Sequence, residues 1–406
     1  MTDFFQFILA MIGTFWAAYV IVNLPEIGGL ESLIAHENVI PKLDIIPDIN
    51  NTEVFITLLV IPLAVQWWAS YYPGAEPGGG GYIAQRMLAA KDEKNAVTAT
   101  LLFNIMHYAL RPWPWILIAL ASLVVFPDLT SIQTAFPHID PSVVDDDLAY
   151  SAMLTFLPNG LLGLVVASLI AAFMSTISTH LNWGSSYVVN DFYKRFVKPE
   201  ASDKELVMIG RISTLALMVC AAIVALFLQN AKEAFGLIVL MGAGTGLLFI
   251  LRWFWWRINA YSELSAMIIS FLVAVFFKFV QPGLLEGHWE LLASVAITTL
   301  GWIGVTYLTS PVKKETLVHF YQLIKPHSMG WQPVIEEGLN DKSLSKKDIS
   351  IGKLPAELLN MFAGIFFVYG ILLSTGYCLY ANYTNMFIGL VVTVLSGLIL
   401  WRNWVK

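Results

Sequence analysis

The chain has 406 residues, 57% of them apolar and only 13% charged, with a net charge of −6. A water-soluble chain of this length would divide into domains and carry about 25% charged residues. The composition therefore specifies an integral membrane protein, places the charge on exposed loops and excludes a nucleic-acid-binding surface. The two cysteines, Cys220 and Cys378, lie inside apolar runs. They exclude a disulfide framework or a cysteine metal cluster and are expected to be packing residues.

Crossing about 30 Å of hydrocarbon takes roughly 20 helical residues. Apolar runs of that order fall at 4–24, 54–72, 98–126, 159–181, 206–228, 234–256, 260–283, 289–309, 356–380 and 383–402. Met1 precedes the first run almost directly, without a basic n-region or a small-residue cleavage site, so no signal-peptide cleavage is expected.

Between the second and third runs the sequence reads QWWASYYPGAEPGGGGYIAQRMLAAK from Gln66. Prolines and glycines here break any helix, and non-helical backbone at membrane depth is tolerated only where protein or a watery cavity surrounds it. Trp67 is expected in an interfacial aromatic belt, and Trp68, Tyr71 and Tyr72 on the path of an organic solute, with the belt as the alternative for all. In the third run Asn104, His107, Tyr108 and Arg111 share a helical face, and Pro112 and Pro114 predict a kink. An arginine at the centre of a span costs roughly 2.5–3.5 kcal/mol on insertion scales, so Arg111 should turn inward. It either caps carbonyls freed by the prolines or binds an anionic solute. Lys278, near the end of its run, is expected to snorkel to the interface. The aspartates at 145–147 lack the glycine and spaced ligands of a calcium loop and read as a solvated acidic turn.

The fourth run ends in AAFMSTISTHLN, starting at Ala171. Ala172, Ser175, Thr176 and Thr179 are spaced i, i+3, i+4, i+7 and form one helical stripe. Two readings stand. The stripe is a small-residue packing seam with each hydroxyl bonded back to its own helix, or it offers hard oxygen ligands to a small cation. Further on, residues 310–355 are polar, Lys-rich and punctuated by Pro311, Pro326, Pro333 and Pro355. This stretch reads as a cytoplasmic connector without a core of its own. Lys and Arg concentrate in alternate loops, which predicts a multi-pass protein of the cell membrane with both termini in the cytoplasm.

Three segments, GGGGYIAQRMLAAKDEKNA, LPNGLLGLVVASLIAAFMSTISTHLN and NDFYKRF, resemble the signature segments of the sodium:solute symporter family in order and spacing. The resemblance implies an all-α, LeuT-like inverted-repeat transporter core with sites at broken helices near the midplane. It implies that the cotransported ion is sodium, held by the Ala172 carbonyl and the Ser175 and Thr176 hydroxyls. Trp68, Tyr71, Tyr72, His107 and Arg111 become candidates for a small organic solute. Sugar-carrying relatives have a lysine at the position of His107, which speaks against a sugar.

TDFFQFILAMIG resembles the fifth core helix, so the first four are expected to be missing, and a separate N-terminal portion of the same transporter is an expected partner. On this reading residues 1–256 are a partial core of helices five to ten, 257–309 add two spans, 310–355 connect, and 356–406 form a terminal pair. The expected activity is secondary active, sodium-coupled symport. The alternatives are a non-transporting membrane sensor or an inactive truncated fragment. No acidic partner is spaced for enzyme chemistry around His107 or His180.

Overall fold

A computed structural model describes residues 2–69, 81–227, 231–285, 288–349 and 354–403, and among these every regular element is helical. The main helices are α1 (Thr2–Val22), α2 (Thr52–Ala69), α3 (Glu93–Val125), α4 (Asn159–Val197), α5 (Asp203–Ala225), α6 (Ala231–Met241), α7 (Gly246–Phe254), α8 (Ala260–Val280), α9 (His288–Leu308), α10 (Lys314–Ile324), α11 (Gln332–Asn340), α12 (Leu354–Leu379) and α13 (Tyr383–Asn403). Eight of them, α2–α5, α8, α9, α12 and α13, are long and apolar enough to cross a membrane; the stretches Gln6–Val22 and Ile238–Phe254 are apolar but shorter. The protein is a multi-pass, all-helical membrane protein.

The chain divides into two compact units, Met1–Leu43 with Arg111–Glu233, and Asp44–Leu110 with Ala234–Lys406. In the first, α1 packs on the opening turns of α4, where Gly13 meets Leu164 and Val165. Ala17, Ala18 and Ile21 are buried along the inner face of α1. The fourth helix does not stop at 181 but runs to Val197, its last eleven residues wound as a π-helix. Its lower end is tied to α5 by Ser185 Oγ, which donates to the Gly210 carbonyl at 2.9 Å. Beyond it, Tyr193 Oη donates to Glu205 at 2.7 Å and Lys198 pairs with the same carboxylate at 2.8 Å.

The expected distortion of the third span is present. Residues Ile105–Leu110 form a π-helical turn immediately before Pro112, where the proline ring and its missing N–H forbid a regular turn. In contrast, the sixth run is not one continuous helix. Residues 242–245 form a turn between α6 and α7, with Gly244 in the left-handed region at φ +83°. Cys220 and Cys378 are exposed on their helices instead of packed.

In the second unit α12 and α13 meet along a seam of small residues, where Gly370 lies against Gly389 and Thr393. The stretch from 310 to 349 contradicts the expectation of a coreless connector. Leu317, Val318 and Tyr321 of α10 close on Trp331, Val334, Ile335 and Leu344. Its polar composition hid two short amphipathic helices, each with an apolar stripe too brief to register as a run. Gly330, at φ +85°, turns the chain so that Trp331 enters this core and donates from Nε1 to the Trp253 carbonyl at 3.0 Å. Lys314 clasps the far side, 2.9 Å from Glu337 and 2.7 Å from Asp341.

The hydrogen bonds from Lys314 and then from Ser343 hold the Asp341 carboxyl well below the usual carboxylate range, and those to Asp341 and Glu337 hold the Lys314 ammonium above its ordinary value. A depressed carboxyl contributes stability above its unfolded pKa, and that contribution is lost as pH falls; a raised lysine loses its share only at strongly alkaline pH. Pulse proteolysis within 310–349 should therefore rise as pH drops below about 5, and Asp341→Asn should flatten that rise while raising cleavage at pH 7. Identical pH profiles for the two proteins would remove the clasp from the account.

Candidate functional site

The stripe from Ala172 to Thr179 occupies the middle of α4, between the turns that pack on α1 and those that pack on α5. Within the first unit Ala172, Ser175 and Thr176 are exposed, as are Phe173 and Met174 on the opposite face. Thr179 Oγ1 donates back to the Ser175 carbonyl at 2.8 Å, and the His180 ring meets the Thr176 carbonyl at 2.9 Å. Among the described residues neither the Ser175 nor the Thr176 hydroxyl makes a hydrogen bond.

The seam between α12 and α13 supplies the comparison within one molecule. There Ser374 Oγ donates to the Gly370 carbonyl at 2.6 Å and Thr393 Oγ1 to the Gly389 carbonyl at 2.8 Å, with Ser374 buried. Thr375 does the same at 2.8 Å. While the buried Ser396 on α13 makes no hydrogen bond among the described residues, these three hydroxyls are thus tied to their own helices. In the α4 stripe this holds for Thr179 alone.

The solute candidates divide between the units. Arg111, in the first, opens the α-helical part of α3 that begins at Pro112, and its guanidinium lies 4.7 Å from the centre of the Trp115 ring. That stacking places the cation on an aromatic face, an attraction worth about 0.5–2 kcal/mol. Trp115 in turn donates from Nε1 to Tyr150 Oη at 3.1 Å. Burial pushes the Tyr150 hydroxyl up from its ordinary pKa, so it stays protonated across the physiological range. In the second unit His107 stacks on Phe103 at 4.9 Å and meets Tyr108 edge-on at 4.7 Å, inside the π-helical turn. Asn104 is turned to its own helix, donating to the Thr100 carbonyl at 2.8 Å. Tyr71 and Tyr72 lie outside the described residues.

Trp68 is half-buried at the end of α2, with Nε1 donating to the Ala64 carbonyl at 2.7 Å. It packs beside Ala69, Ala243 and Val295. The end of α2 therefore abuts the turn between α6 and α7. A side chain at Gly246 would collide with the Trp68 carbonyl, so only glycine permits this approach. Residues 242–246 are all buried, which is the condition for non-helical backbone at this depth. Trp302 completes the junction by donating from Nε1 to the Gly244 carbonyl at 3.1 Å. Reading the run 234–256 as one span missed this meeting point of two helix breaks. Its signal was the glycine spacing Gly242, Gly244, Gly246.

The described residues thus form a multi-pass helical membrane architecture in which an apolar run is interrupted by a buried turn. The model of the sodium:solute symporter family matches residues 1–270, and the chain belongs to that family. It is 27% identical over 293 residues to a sodium/glucose cotransporter of Vibrio parahaemolyticus, covering 68% of this chain and 52% of that protein. An osmoregulated proline transporter of Bacillus subtilis is 30% identical over 259 residues, 62% of this chain and 48% of the relative. Sodium/myo-inositol cotransporter 2 of Rattus norvegicus is 30% identical over 220 residues, 49% and 32% respectively. The chain spans at most about half the length of these relatives.

Trp302→Phe keeps the aromatic volume but strands the buried Gly244 carbonyl. An unpaired buried acceptor costs about 1–3 kcal/mol, so this variant should lose thermal stability in detergent, while Trp67→Phe, on an exposed face, should not. Equal melting of both variants would show that the turn does not depend on the indole.

Proposed function

We propose that the protein works in sodium-coupled symport of a small organic solute, with sodium bound by the Ala172 carbonyl and the Ser175 and Thr176 hydroxyls. The observation that carries this is the state of one stripe: the exposed Ser175 and Thr176 hydroxyls make no hydrogen bond among the described residues, while Ser374, Thr375 and Thr393 on α12 and α13 are spent on their own backbone. Family membership supports the choice of ion, and the named substrates of the relatives, glucose, proline and myo-inositol, support a small polar solute. Trp68, Tyr71, Tyr72, His107 and Arg111 remain its proposed contacts, within an inverted-repeat core whose sites sit at helix breaks. Both termini of this chain are assigned to the cytoplasm on the alternation of basic loops. The proposed organisation keeps 1–256 as core, 257–309 as two further spans, 310–355 as a cytoplasmic segment and 356–406 as a terminal pair.

In this scheme sodium stabilises the conformation that accepts solute, so each ligand raises the affinity for the other. About 100 mV across the membrane contributes ~2.3 kcal/mol per charge and a tenfold sodium gradient ~1.4, enough for roughly 500-fold solute accumulation per ion.

The test uses sodium alone as probe. Two oxygen contacts at about 1 kcal/mol each amount to about thirtyfold in affinity. The Ser175→Ala/Thr176→Ala double variant should raise half-saturating sodium by about that factor, read as sodium-dependent tryptophan fluorescence of the purified protein. Thr179→Ala, whose hydroxyl is already tied to Ser175, should change it little. An unchanged sodium response in the double variant defeats the assignment.

A further inference from the structure

Within the second unit α12 packs on the π-helical turn of α3, and α3, α12 and α13 leave beside that contact an apolar groove of about 710 Å³. Its walls carry Val97, Leu101, Ile365 and Leu372. All three helices are candidate membrane spans, so the groove opens where lipid would be. Glu357 is the only charged side chain among its described lining residues. It is exposed and has no ion pair among the described residues. Asn360, one turn on from Glu357, accepts from Asn403 Nδ2 at 3.0 Å. That bond uses the Asn360 carbonyl and leaves its amide N–H groups to donate elsewhere.

Glu357, Asn360 and Asn403 lie together at one end, while Thr100 and Asn104 farther along are bonded to their own helix. From Glu357 to Leu372 the wall of α12 rises about 22 Å at about 1.5 Å per residue. Half of a bilayer about 40–45 Å thick, headgroups included, has the same depth. The groove thus reaches from a headgroup layer to the bilayer midplane. At its middle Gly364 has no atom within 4 Å of where a Cβ would stand, so the wall is hollow at that point.

We propose that this groove is a site for a single phospholipid with an amine headgroup, of the phosphatidylethanolamine type. The ammonium pairs with Glu357, a phosphate or ester oxygen accepts from the Asn360 amide, and one acyl chain lies along Leu101, Gly364 and Leu372. Charge selects the headgroup, since an anionic lipid would set its phosphate and glycerol beside a carboxylate that has no ion pair among the described residues.

Native mass spectrometry of the purified full chain, released from nanodiscs of equal phosphatidylethanolamine and phosphatidylglycerol, reads the occupant. The wild type should retain one phosphatidylethanolamine, favoured about fivefold, the effect of one partly exposed ion pair. Glu357→Gln should still retain one lipid but lose the preference. Gly364→Leu, entering open space, should lose the lipid with helix content unchanged by circular dichroism. Should Gly364→Leu not fold, the headgroup preference of Glu357→Gln decides by itself. Equal retention of both lipids by the wild type, undiminished lipid on a folded Gly364→Leu, or a groove covered by a second copy of the chain, seen as a dimer mass without lipid, would each overturn the proposal.

Discussion

In hydrocarbon a hydroxyl has no water to return to, so each Ser or Thr oxygen in a spanning helix must bond to its own backbone, cross to a neighbouring helix, or hold something else. The chain uses the first two solutions openly. Ser374, Thr375 and Thr393 fold back on their own turns. Ser185 reaches the Gly210 carbonyl on the next helix, and Ser262 meets Thr306 at 2.6 Å between α8 and α9. Ser175 and Thr176 follow neither course among the described residues. The buried hydroxyls of Thr298 and Thr299 on α9 are also unpaired among the described residues, so what sets Ser175 and Thr176 apart from these is that they are exposed and adjacent on one stripe, and the functional reading depends on it.

Backbone carbonyls pose the same problem wherever a helix breaks, and here tryptophan often solves it. An indole brings a large apolar body and a single N–H donor, so it can bury a break and pair its exposed carbonyl in one step. Trp302 does so for Gly244, and Trp331 for Trp253 at the foot of α7. Helix α7 is thus held at both ends by indole donors from different segments, and its first residue, Gly246, rests against the Trp68 carbonyl. A small apolar helix between two breaks keeps a fixed position because its termini are gripped, even though it is too short to span a membrane by itself.

Eight of the ten expected spans were legible in the sequence because length and hydropathy are bulk properties of a run, whereas the runs at 4–24 and 234–256 hold only shorter apolar stretches. An irregularity next to Pro112 was legible too, found as the π-helical turn Ile105–Leu110, since proline acts locally. What escaped were features decided by contact. The break at Gly242–Thr245 lies inside an apolar run, and hydropathy does not register a turn that neighbouring helices bury. The core around Trp331 escaped because its apolar residues are scattered among lysines and prolines and converge only in three dimensions. The stripe on α4 was visible as spacing, but spacing alone could not separate a packing seam from a ligand face. That distinction required knowing where each hydroxyl points its proton.

The anchoring of α4 also bears on how such a stripe would work. One end is wedged against α1 through Leu164 and Val165, the other against α5 through Ser185, and the open middle lies between. A helix held at both ends presents its oxygens at fixed spacing, so ordering them costs little when an ion arrives. Wherever α4 keeps this geometry, the stripe by itself has nearly equal affinity for the ion. A ligand shifts an equilibrium only by its difference in affinity between states. In the proposed symport, the conformational preference of sodium must then come from whatever approaches the stripe to complete the coordination, while α4 supplies the constant half of the site.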